Sequence, residues 1–431
     1  MNSKVKKPII IIQGAQWGSE AKGAIAGYIC ETETVNYAVR TGATNAGHTV
    51  YYQGVPYKMQ QLPVGWIVPD VQLVLGAGSV IDPVILEREC RMVSDATGQD
   101  IKKRLVIDSR AALHLPVHQE RSAKSGRHHK MGATGKGCSE AIIDRIRGRG
   151  EGARNFGDVY SNEYNVDDTA YLLNVVHNTG NVIMLEGTQG TLLDLCLGPY
   201  PYVTHKQTGP AQWMMEAGLS PALQTAVVSV VRTYPIRVAG NSGPMLMETS
   251  WPTLARAINE VRARHQMEPL VSEFSLALFE QAVISVATRN PGAVPRGSNG
   301  LDMHQWSSAQ RVEFKEFLSE GHKMALEMLD DVVLTDLAQL FELTTVTKKL
   351  RRIAHMSLPT LGYSTMLDRP HRVALTFMNY VFPQHWYVDG QDVEFHSKIG
   401  EYIAQVEAFT NGAPVTMASF GPESRHVAIV S

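Results

Sequence analysis

A glycine-rich segment between residues 14 and 23 constrains this 431-residue chain more than any other feature. It reads Gly-Ala-Gln-Trp-Gly-Ser-Glu-Ala-Lys-Gly and follows the apolar run Ile9–Ile12 after one glutamine. A β-branched run, a glycine-rich turn and a helix opened by a lysine are typical of a phosphate-binding loop. Backbone N–H groups close on the anion in such a loop, and Lys22 adds a positive charge. The spacing differs from a Walker motif, since no Ser or Thr follows the lysine.

The order of apolar segments predicts an α/β fold. Candidate strands are Ile9–Ile12, Gln72–Leu75, Arg104–Ile107, Val182–Leu185 and Ala226–Arg232. Amphipathic stretches that predict helices are Ser19–Glu31, Pro83–Ala96, Thr253–Arg264, Ser272–Ala287 and Gln310–Leu329, and Asn290–Leu301 is a candidate loop. This alternation predicts a mostly parallel central sheet with helices on both faces. Ligand loops are then expected at the carboxyl ends of the strands.

Composition argues against several classes of protein. The formal charge of −2 and a pI near 6.7 give no global field for nucleic acid or an anionic membrane. No apolar stretch is long enough to span a bilayer, and the first apolar run is interpreted as a core strand. The four scattered cysteines form no CxxC motif, which predicts a reduced, cytoplasmic protein without disulfides or structural zinc.

Three further segments carry groups suited to binding anions. The first is Asn-Ala-Gly-His-Thr at residues 45–49, and the second is Gly-Ala-Thr-Gly-Lys-Gly at 132–137. The third runs from Glu186 to Asp194 and is followed by Tyr-Pro-Tyr-Val-Thr at 200–204. On composition alone, the basic stretch before residue 132 is as consistent with a solvated segment as with a binding site.

Together these motifs closely resemble those of the adenylosuccinate synthetase family. The resemblance covers about residues 8–425 and fails at about 245–340, where this chain is longer, and near 150–180, where it is shorter. It implies the P-loop-related fold of that family as a single domain over residues 1–431, with a largely helical insertion at about 245–340. It also implies a magnesium-dependent ligase that forms a C–N bond, acts on small molecules and is a homodimer.

The resemblance assigns roles to individual residues. Catalytic roles fall on Ser19, Lys22 and His48, with Ser19 and the Gly47 carbonyl at the magnesium. The nucleotide that donates phosphate would contact Gly18, Glu20, Ala21, Lys22, Gly23, Gly47, His48, Thr49, Asn379, Ser419, Gly421 and Pro422. The purine monophosphate would contact Ser19, Asn45, Thr134, Lys136, Arg147, Arg149, Gln189, Leu193, Thr204 and Val238. Arg147 and Arg149 are alternatives for the arginine that reaches the neighbouring subunit.

A basic segment after Glu342 parallels the family loop that closes over L-aspartate. The resemblance assigns Thr347, Lys349, Arg351 and Arg352 to this substrate. Two carboxylates need cationic partners, and arginine is the better geometric match for a carboxylate. Lys349 stands where the family has Arg, Lys348 where it has Gly, and Val346 where it has Thr.

Two departures from the family pattern affect residues that would contact the nucleotides. Ser19 replaces the family's catalytic aspartate, as in the phage-type branch that uses (d)GMP and leads to 2,6-diaminopurine. Phe377 and Asn379 replace the lysine and aspartate that read guanine in the donor, and an amide can pair with adenine. We therefore expect (d)GMP as the purine substrate and ATP or dATP as the donor. An ordinary enzyme acting on IMP and GTP, and a nucleotide-binding protein without catalysis, are the alternatives.

Ser19 leaves the acceptor of the purine N1 proton unassigned. Glu20 is the nearest acidic residue by position, although helix geometry can point it away from the site. No sequence feature excludes a 2′-hydroxyl, so ribose and deoxyribose substrates are both open.

Overall fold

A computed structural model describes residues 8–125, 135–148, 154–289, 308–344 and 349–430. Within these residues, a ten-stranded sheet has the order β17-β16-β15-β11-β1-β10-β2-β5-β7-β9. Its neighbouring strands are parallel except β16 and β17. Every residue of β1 is buried, because the sheet is covered on both faces and each strand needs a continuous apolar run.

The strands of the central sheet are β1 (Ile9–Gly14), β2 (Tyr37–Arg40), β5 (Gln72–Leu75), β7 (Leu105–Asp108), β9 (Asn165–Asp167), β10 (Ile183–Glu186), β11 (Thr225–Arg232), β15 (Arg372–Thr376), β16 (Val415–Ser419) and β17 (Val427–Ile429). Smaller sheets contain β3 (His48–Tyr52) with β4 (Val55–Met59), β6 (Val80–Ile81) with β8 (Ala112–Leu113), and β12 (Ile236–Arg237) and β13 (Glu248–Thr249) on either side of β14 (Arg352–Ala354).

The α-helices of the described residues are α1 (Lys22–Thr32), α2 (Pro83–Thr97), α3 (Pro116–Lys124), α4 (Cys138–Arg147), α5 (Gly157–Tyr160), α6 (Thr169–Asn178), α7 (Pro210–Glu216), α8 (Trp251–Arg264), α9 (Glu273–Arg289), α10 (Ser308–Glu327), α11 (Asp331–Leu337), α12 (Leu358–Asp368), α13 (Met378–Val381) and α14 (Ser397–Glu407). None of these described helices is both long and apolar enough to cross a membrane.

The predicted fold class is confirmed, and the predicted strands lie within two residues of the observed ones. The predicted helix Ser19–Glu31 begins too early. Gly18, Ser19 and Ala21 have φ of 86°, 60° and 63°, so the chain cannot continue a right-handed helix through them, and α1 starts at Lys22. The candidate loop Asn290–Leu301 lies outside the described residues.

Helices α8 to α11, within the segment predicted as an insertion, share a hydrophobic core of their own. Trp251, Leu254, Phe279 and Leu337 are buried in it, and Ile353 of β14 joins them from the smaller sheet. Because β14 directly follows the segment predicted to bind aspartate, this helical core supports one side of the candidate site.

Parallel pairing brings the carboxyl ends of nine strands, all except β17, to one edge of the sheet. Gly14, Arg40, Glu186, Arg232, Thr376 and Ser419 are the last residues of β1, β2, β10, β11, β15 and β16. These ends are where open parallel sheets carry ligand loops. Charged residues at the ends of buried strands therefore mark the edge that holds the site.

Asp108, at the end of β7, anchors an edge of the sheet by charge. Its buried carboxylate accepts hydrogen bonds from Arg110 and from the backbone and hydroxyl of Thr169. Burial alone would raise the pKa of this carboxyl, but the bonds from Arg110 and Thr169 outweigh it and lower the pKa below its usual value. A lowered pKa stabilises the fold above the unfolded-state pKa and ceases to do so as the pH falls.

We expect Asp108→Asn to lower the free energy of unfolding by about 1.5–3 kcal/mol at pH 7, because it leaves charged and polar partners unsatisfied. Urea unfolding measures this difference, which should shrink as the pH falls below about 4. Asp392→Asn, at an exposed position, is the matched control. A difference that is the same at pH 7 and pH 3 would contradict the assignment.

Candidate functional site

The phosphate loop, residues 14–22, is held in shape by a carboxylate buried beneath it. Glu20 is fully buried, and its Oε1 accepts hydrogen bonds from the backbone N–H groups of Gln16 (3.1 Å) and Gly18 (2.7 Å). Its Oε2 lies 2.6 Å from Nζ of Lys22. Both carboxylate oxygens are therefore engaged inside the loop, and Glu20 is turned away from a ligand.

Helix α1 packs closely against the second anion-binding segment. A Cβ at Gly23 would lie 2.6 Å from the carbonyl oxygen of Thr49 and 2.9 Å from Cβ of His48. Only glycine allows this approach, so Gly23 brings the phosphate loop and the start of β3 together. Gly47 and Thr49 are exposed on either side of the buried His48.

His48 belongs to a buried charged cluster. Its Nδ1 lies 3.0 Å from Oε2 of Glu186, while Oε1 of Glu186 accepts the N–H of Val64 at 2.6 Å. Arg40 lies 3.6 Å from the same carboxylate. Nε2 of His48 is buried and has no hydrogen-bond partner among the described atoms. The free nitrogen is positioned to meet a ligand oxygen, since a buried polar atom needs a partner.

Burial sets the protonation of this cluster. It lowers the pKa of His48 well below its ordinary value, an effect to which Arg40 and Lys22 add. Burial also raises the pKa of Glu186 to about 7, against the opposing effect of Arg40. With one proton shared between Nδ1 and Glu186, Nε2 carries a hydrogen that it can donate to phosphate. Once that proton is lost, Nε2 presents a lone pair that repels an anion.

Part of the set of residues assigned to the purine monophosphate lies around the phosphate loop. A Cβ at Gly18 would lie 3.9 Å from Cα of Gln189 and 4.0 Å from Cδ1 of Leu193, so these three residues are neighbours. The N–H of Thr204 donates to the carbonyl of Leu193 at 2.8 Å, which places Thr204 beside them. Val238 follows β12, and its carbonyl accepts the hydroxyl of Ser242 at 2.6 Å.

Other residues assigned to the purine monophosphate lie near helix α4. Asn45 is half-buried in the loop after β2, and its neighbour Thr44 lies 3.5 Å from Sγ of Cys138 at the start of α4. The carbonyl of Lys136 is 2.7 Å from Nε2 of the buried His114. Arg147 is exposed at the last residue of α4. Thr134 and Arg149 lie outside the described residues.

Ser19 is exposed on the phosphate loop between two arginines. The guanidinium of Arg351 lies 3.4 Å from its Oγ, and Arg232 donates to its carbonyl at 3.2 Å. Arg232 is almost completely buried, pairs with Glu342 and stacks 3.5 Å from the centre of the Phe377 ring. Arg232 therefore touches three loops: the phosphate loop, the turn before α13 and the segment that begins at Glu342.

The cations assigned to L-aspartate have different partners in the structure. Lys349 pairs with Glu320 at 2.5 Å, and Arg352 pairs with Glu248 at 2.6 Å. Arg351 contacts Ser19 and the carbonyl of Leu343. Burial lowers the pKa of the Arg351 guanidinium. Thr347 lies outside the described residues.

The residues assigned to the donor base lie where α13 packs against β16. Asn379 is 3% exposed, and the hydroxyl of Ser419 donates to the carbonyl of Gly421 at 2.7 Å. Pro422 follows in a half-buried position. Phe377 has φ of 59° and lies under the guanidinium of Arg232. The turn that is predicted to read the base is thus connected to Ser19 through Arg232.

Sequence reasoning missed Arg40, Glu186, Arg232 and Glu342 as functional residues. Each of the first three is the charged last residue of a strand that is otherwise apolar or uncharged, and this pattern is visible in the sequence. Glu342 gives no comparable signal, because its pairing with Arg232 joins segments that are 110 residues apart.

We expect the rate of phosphate release from the nucleoside triphosphate to fall as the pH rises above about 7, because Glu186 then loses the proton it shares with His48. Glu186→Gln has no titrating proton, and its amide can donate to Nδ1 in place of the protonated carboxyl, so it should retain activity and remove this alkaline decrease. The measurement is kcat from pH 6 to 9, with the exposed Glu401→Gln as control. An unchanged pH profile in Glu186→Gln would disprove the role of the pair.

Comparisons with known proteins identify the family of the chain. A model of the adenylosuccinate synthetase family matches residues 11–159 and 153–382. The adenylosuccinate synthetase of Methanocaldococcus jannaschii is 35% identical over 326 residues, which cover 75% of this chain and 90% of that protein. That of Thermococcus onnurineus is 35% identical over 245 residues, covering 56% of this chain and 70% of the relative.

Two solved structures share the fold. The succinoaminodeoxyadenylate synthetase of cyanophage S-2L, bound to dGMP and to dATP as an energy donor, has a TM-score of 0.67 at 24% identity, covering 98% of this chain and 95% of that one. The fully ligated adenylosuccinate synthetase of Plasmodium falciparum has a TM-score of 0.68 at 17% identity, covering 99% and 100%. The chain therefore belongs to the adenylosuccinate synthetase family and is a C–N ligase that joins aspartate to a purine nucleotide.

Proposed function

We propose that the purine substrate is a guanine nucleotide, dGMP or GMP, and that the donor is ATP or dATP. The product is then N6-succino-2-amino-(deoxy)adenylate, a precursor of 2,6-diaminopurine nucleotides. The cyanophage S-2L structure, with dGMP and dATP bound, supports this choice by likeness of fold. The observation that carries the proposal is Ser19, exposed on the phosphate loop where the family has an aspartate.

Ser19 suits guanine for steric and electrostatic reasons. Guanine differs from hypoxanthine by a 2-amino group, which donates hydrogen bonds and takes up space. An aspartate would crowd this group, whereas the serine hydroxyl is short, uncharged and able to accept a hydrogen bond from it. Arg351, 3.4 Å from Oγ, supplies positive charge beside the same position.

The reaction we propose has two steps. The purine O6 attacks the γ-phosphate of the donor, so that an O–P bond forms while the bond to the β-phosphate oxygen breaks and the N1 proton passes to water. His48 Nε2 and Lys22 stabilise the departing β-phosphate. The amine of L-aspartate then attacks C6 and loses a proton to water, a C–N bond forms, and phosphate leaves with the former O6.

Magnesium is the cofactor that this proposal includes. The described residues contain no group of three or more His, Cys, Asp or Glu side chains arranged around a metal ion. Glu20 has both oxygens engaged, which leaves the Ser19 hydroxyl and the Gly47 carbonyl as hard oxygen donors. These fit Mg²⁺, which keeps several waters and binds substrate phosphates. When bound, the ion neutralises charge on the transferring phosphate.

Two alternatives remain for experiment. The relatives identified by sequence are named adenylosuccinate synthetases, which favours an ordinary enzyme acting on IMP with GTP. The second is a nucleotide-binding protein without catalysis. The intact cluster of His48, Glu186 and Arg40 supports catalysis over binding alone.

We also propose a cytoplasmic homodimer, in which one subunit completes the phosphate site of its partner. Arg147 is exposed at the end of α4, so its side chain is accessible to a neighbouring subunit, as this role requires. The proposal treats residues 1–431 as one domain with a helical insertion at about 245–340.

We expect the wild-type enzyme to use dGMP or GMP with a kcat/KM at least about tenfold higher than that for IMP, which corresponds to one misplaced polar contact. Ser19→Asp should lower the use of (d)GMP and raise the relative use of IMP. L-aspartate-dependent phosphate release measures both, with Ser19→Ala as the variant that adds no charge. An equal or higher kcat/KM of the wild type for IMP would establish the ordinary activity instead.

We expect the donor preference to depend on Asn379. A carboxylate at this position would repel N1 of adenine but accept hydrogen bonds from guanine, so Asn379→Asp should shift the preference from ATP or dATP towards GTP by about tenfold. Competition between the donors at fixed purine monophosphate measures the shift. A wild-type enzyme that prefers GTP would refute the assignment of Asn379.

A further inference from the structure

Helix α10 of the insertion contacts the segment assigned to aspartate through two carboxylates. Oε1 of Glu320 lies 2.5 Å from Nζ of Lys349, and Oε2 of Glu316 lies 4.0 Å from it. The side chain of Lys349 is 16% exposed, whereas that of Glu320 is 50% exposed. The ammonium is therefore held near the protein surface by carboxylates of helix α10.

The same helix also contacts the turn after β12. Oε1 of Glu316 accepts the backbone N–H of Asn241 at 2.7 Å. Gly240 has φ of 74°, and a Cβ at this position would lie 2.6 Å from Oε1 of Glu316. Glycine at 240 thus leaves room for the glutamate. Two independent contacts place α10 against Lys349 and against the turn that follows Val238.

We propose that helix α10 forms one wall of the amino-acid site and that Glu320 is a specificity-determining residue for L-aspartate. This inference rests on the proposed role of residues 349–352 as the aspartate loop. In the structure, Glu320 occupies the position on Lys349 that a carboxylate of the substrate would take. The substrate must displace Glu320 from Lys349, and it then lies beside two negative charges of α10.

The charges predict in which direction Glu320 changes the binding of L-aspartate. A lysine ammonium is a compact point charge, so a tethered carboxylate and a substrate carboxylate compete for the same cation. Glu316 remains bonded to Asn241, whereas Glu320 has no second contact among the described atoms and can leave Lys349. Removal of the charge at 320 is therefore expected to favour binding of a dicarboxylate.

The test varies L-aspartate at saturating purine monophosphate and donor. Glu320→Gln should lower the KM for L-aspartate about three- to fivefold, as befits a half-exposed ion pair, with kcat and the KM for the purine monophosphate unchanged. Glu327→Gln is the matched control, since Glu327 lies on the same helix and pairs with the exposed Lys323. In a Lys349→Met background, Glu320→Gln should have no effect on this KM.

An increase in the KM of Glu320→Gln would overturn the proposal, because Glu320 would then hold Lys349 in place for the substrate. An unchanged KM would overturn it as well. Glu320→Asp keeps the charge but shortens the reach, and it should also lower the KM, which gives a second variant if the first unfolds. A wild-type enzyme without L-aspartate-dependent phosphate release would instead refute the proposed function, before any variant is compared.

Discussion

The buried carboxylate of Glu20 is the contact on which the geometry of the site depends. The turn before α1 contains three residues with positive φ, two of which are not glycine, and such a backbone persists only when its surroundings hold it. Glu20 holds this backbone in place by accepting hydrogen bonds from two backbone N–H groups and from the ammonium of Lys22. The same contacts occupy both of its oxygens. The residue adjacent to Ser19 is thereby excluded as a free base, although it is the nearest acid in the sequence.

Arg232 links the phosphate loop to two other segments of the site. Its guanidinium binds the carbonyl of Ser19, pairs with Glu342 and stacks on Phe377. A buried arginine is costly unless all its donors are satisfied, and here each partner comes from a different loop. A shift in the turn before α13 therefore changes the contacts available to Ser19. If the predicted assignments hold, Arg232 physically connects the two nucleotide sites.

Sequence was sufficient for the fold class because long β-branched runs and glycine-rich turns are local signals. The roles assigned to the phosphate loop and to His48 also come from short motifs, and they stay predictions. Glu186, Arg232 and Glu342 could not be placed, since their roles come from contacts between segments that are more than 100 residues apart. The start of α1 was mispredicted because residues with helical propensity stand in a turn that tertiary contacts impose. The predictions for Ser19→Asp and Asn379→Asp come from sequence motifs. The prediction for Glu320 depends on its contact with Lys349, which only the structure shows.

The charges around the proposed amino-acid site explain why its cations alone would not define it. Of the cations assigned to L-aspartate, Lys349 is paired with Glu320 of α10 and Arg352 with Glu248 of β13. A site of unpaired cations would bind any anion, including the phosphate released in the reaction. Pairing the cations with carboxylates makes the site more selective. An incoming anion binds only if it replaces the carboxylate partners of several cations at once. L-aspartate carries two separate carboxylates, so it can replace the glutamate partners of two cations at once, whereas one phosphate has to reach both cations from a single centre.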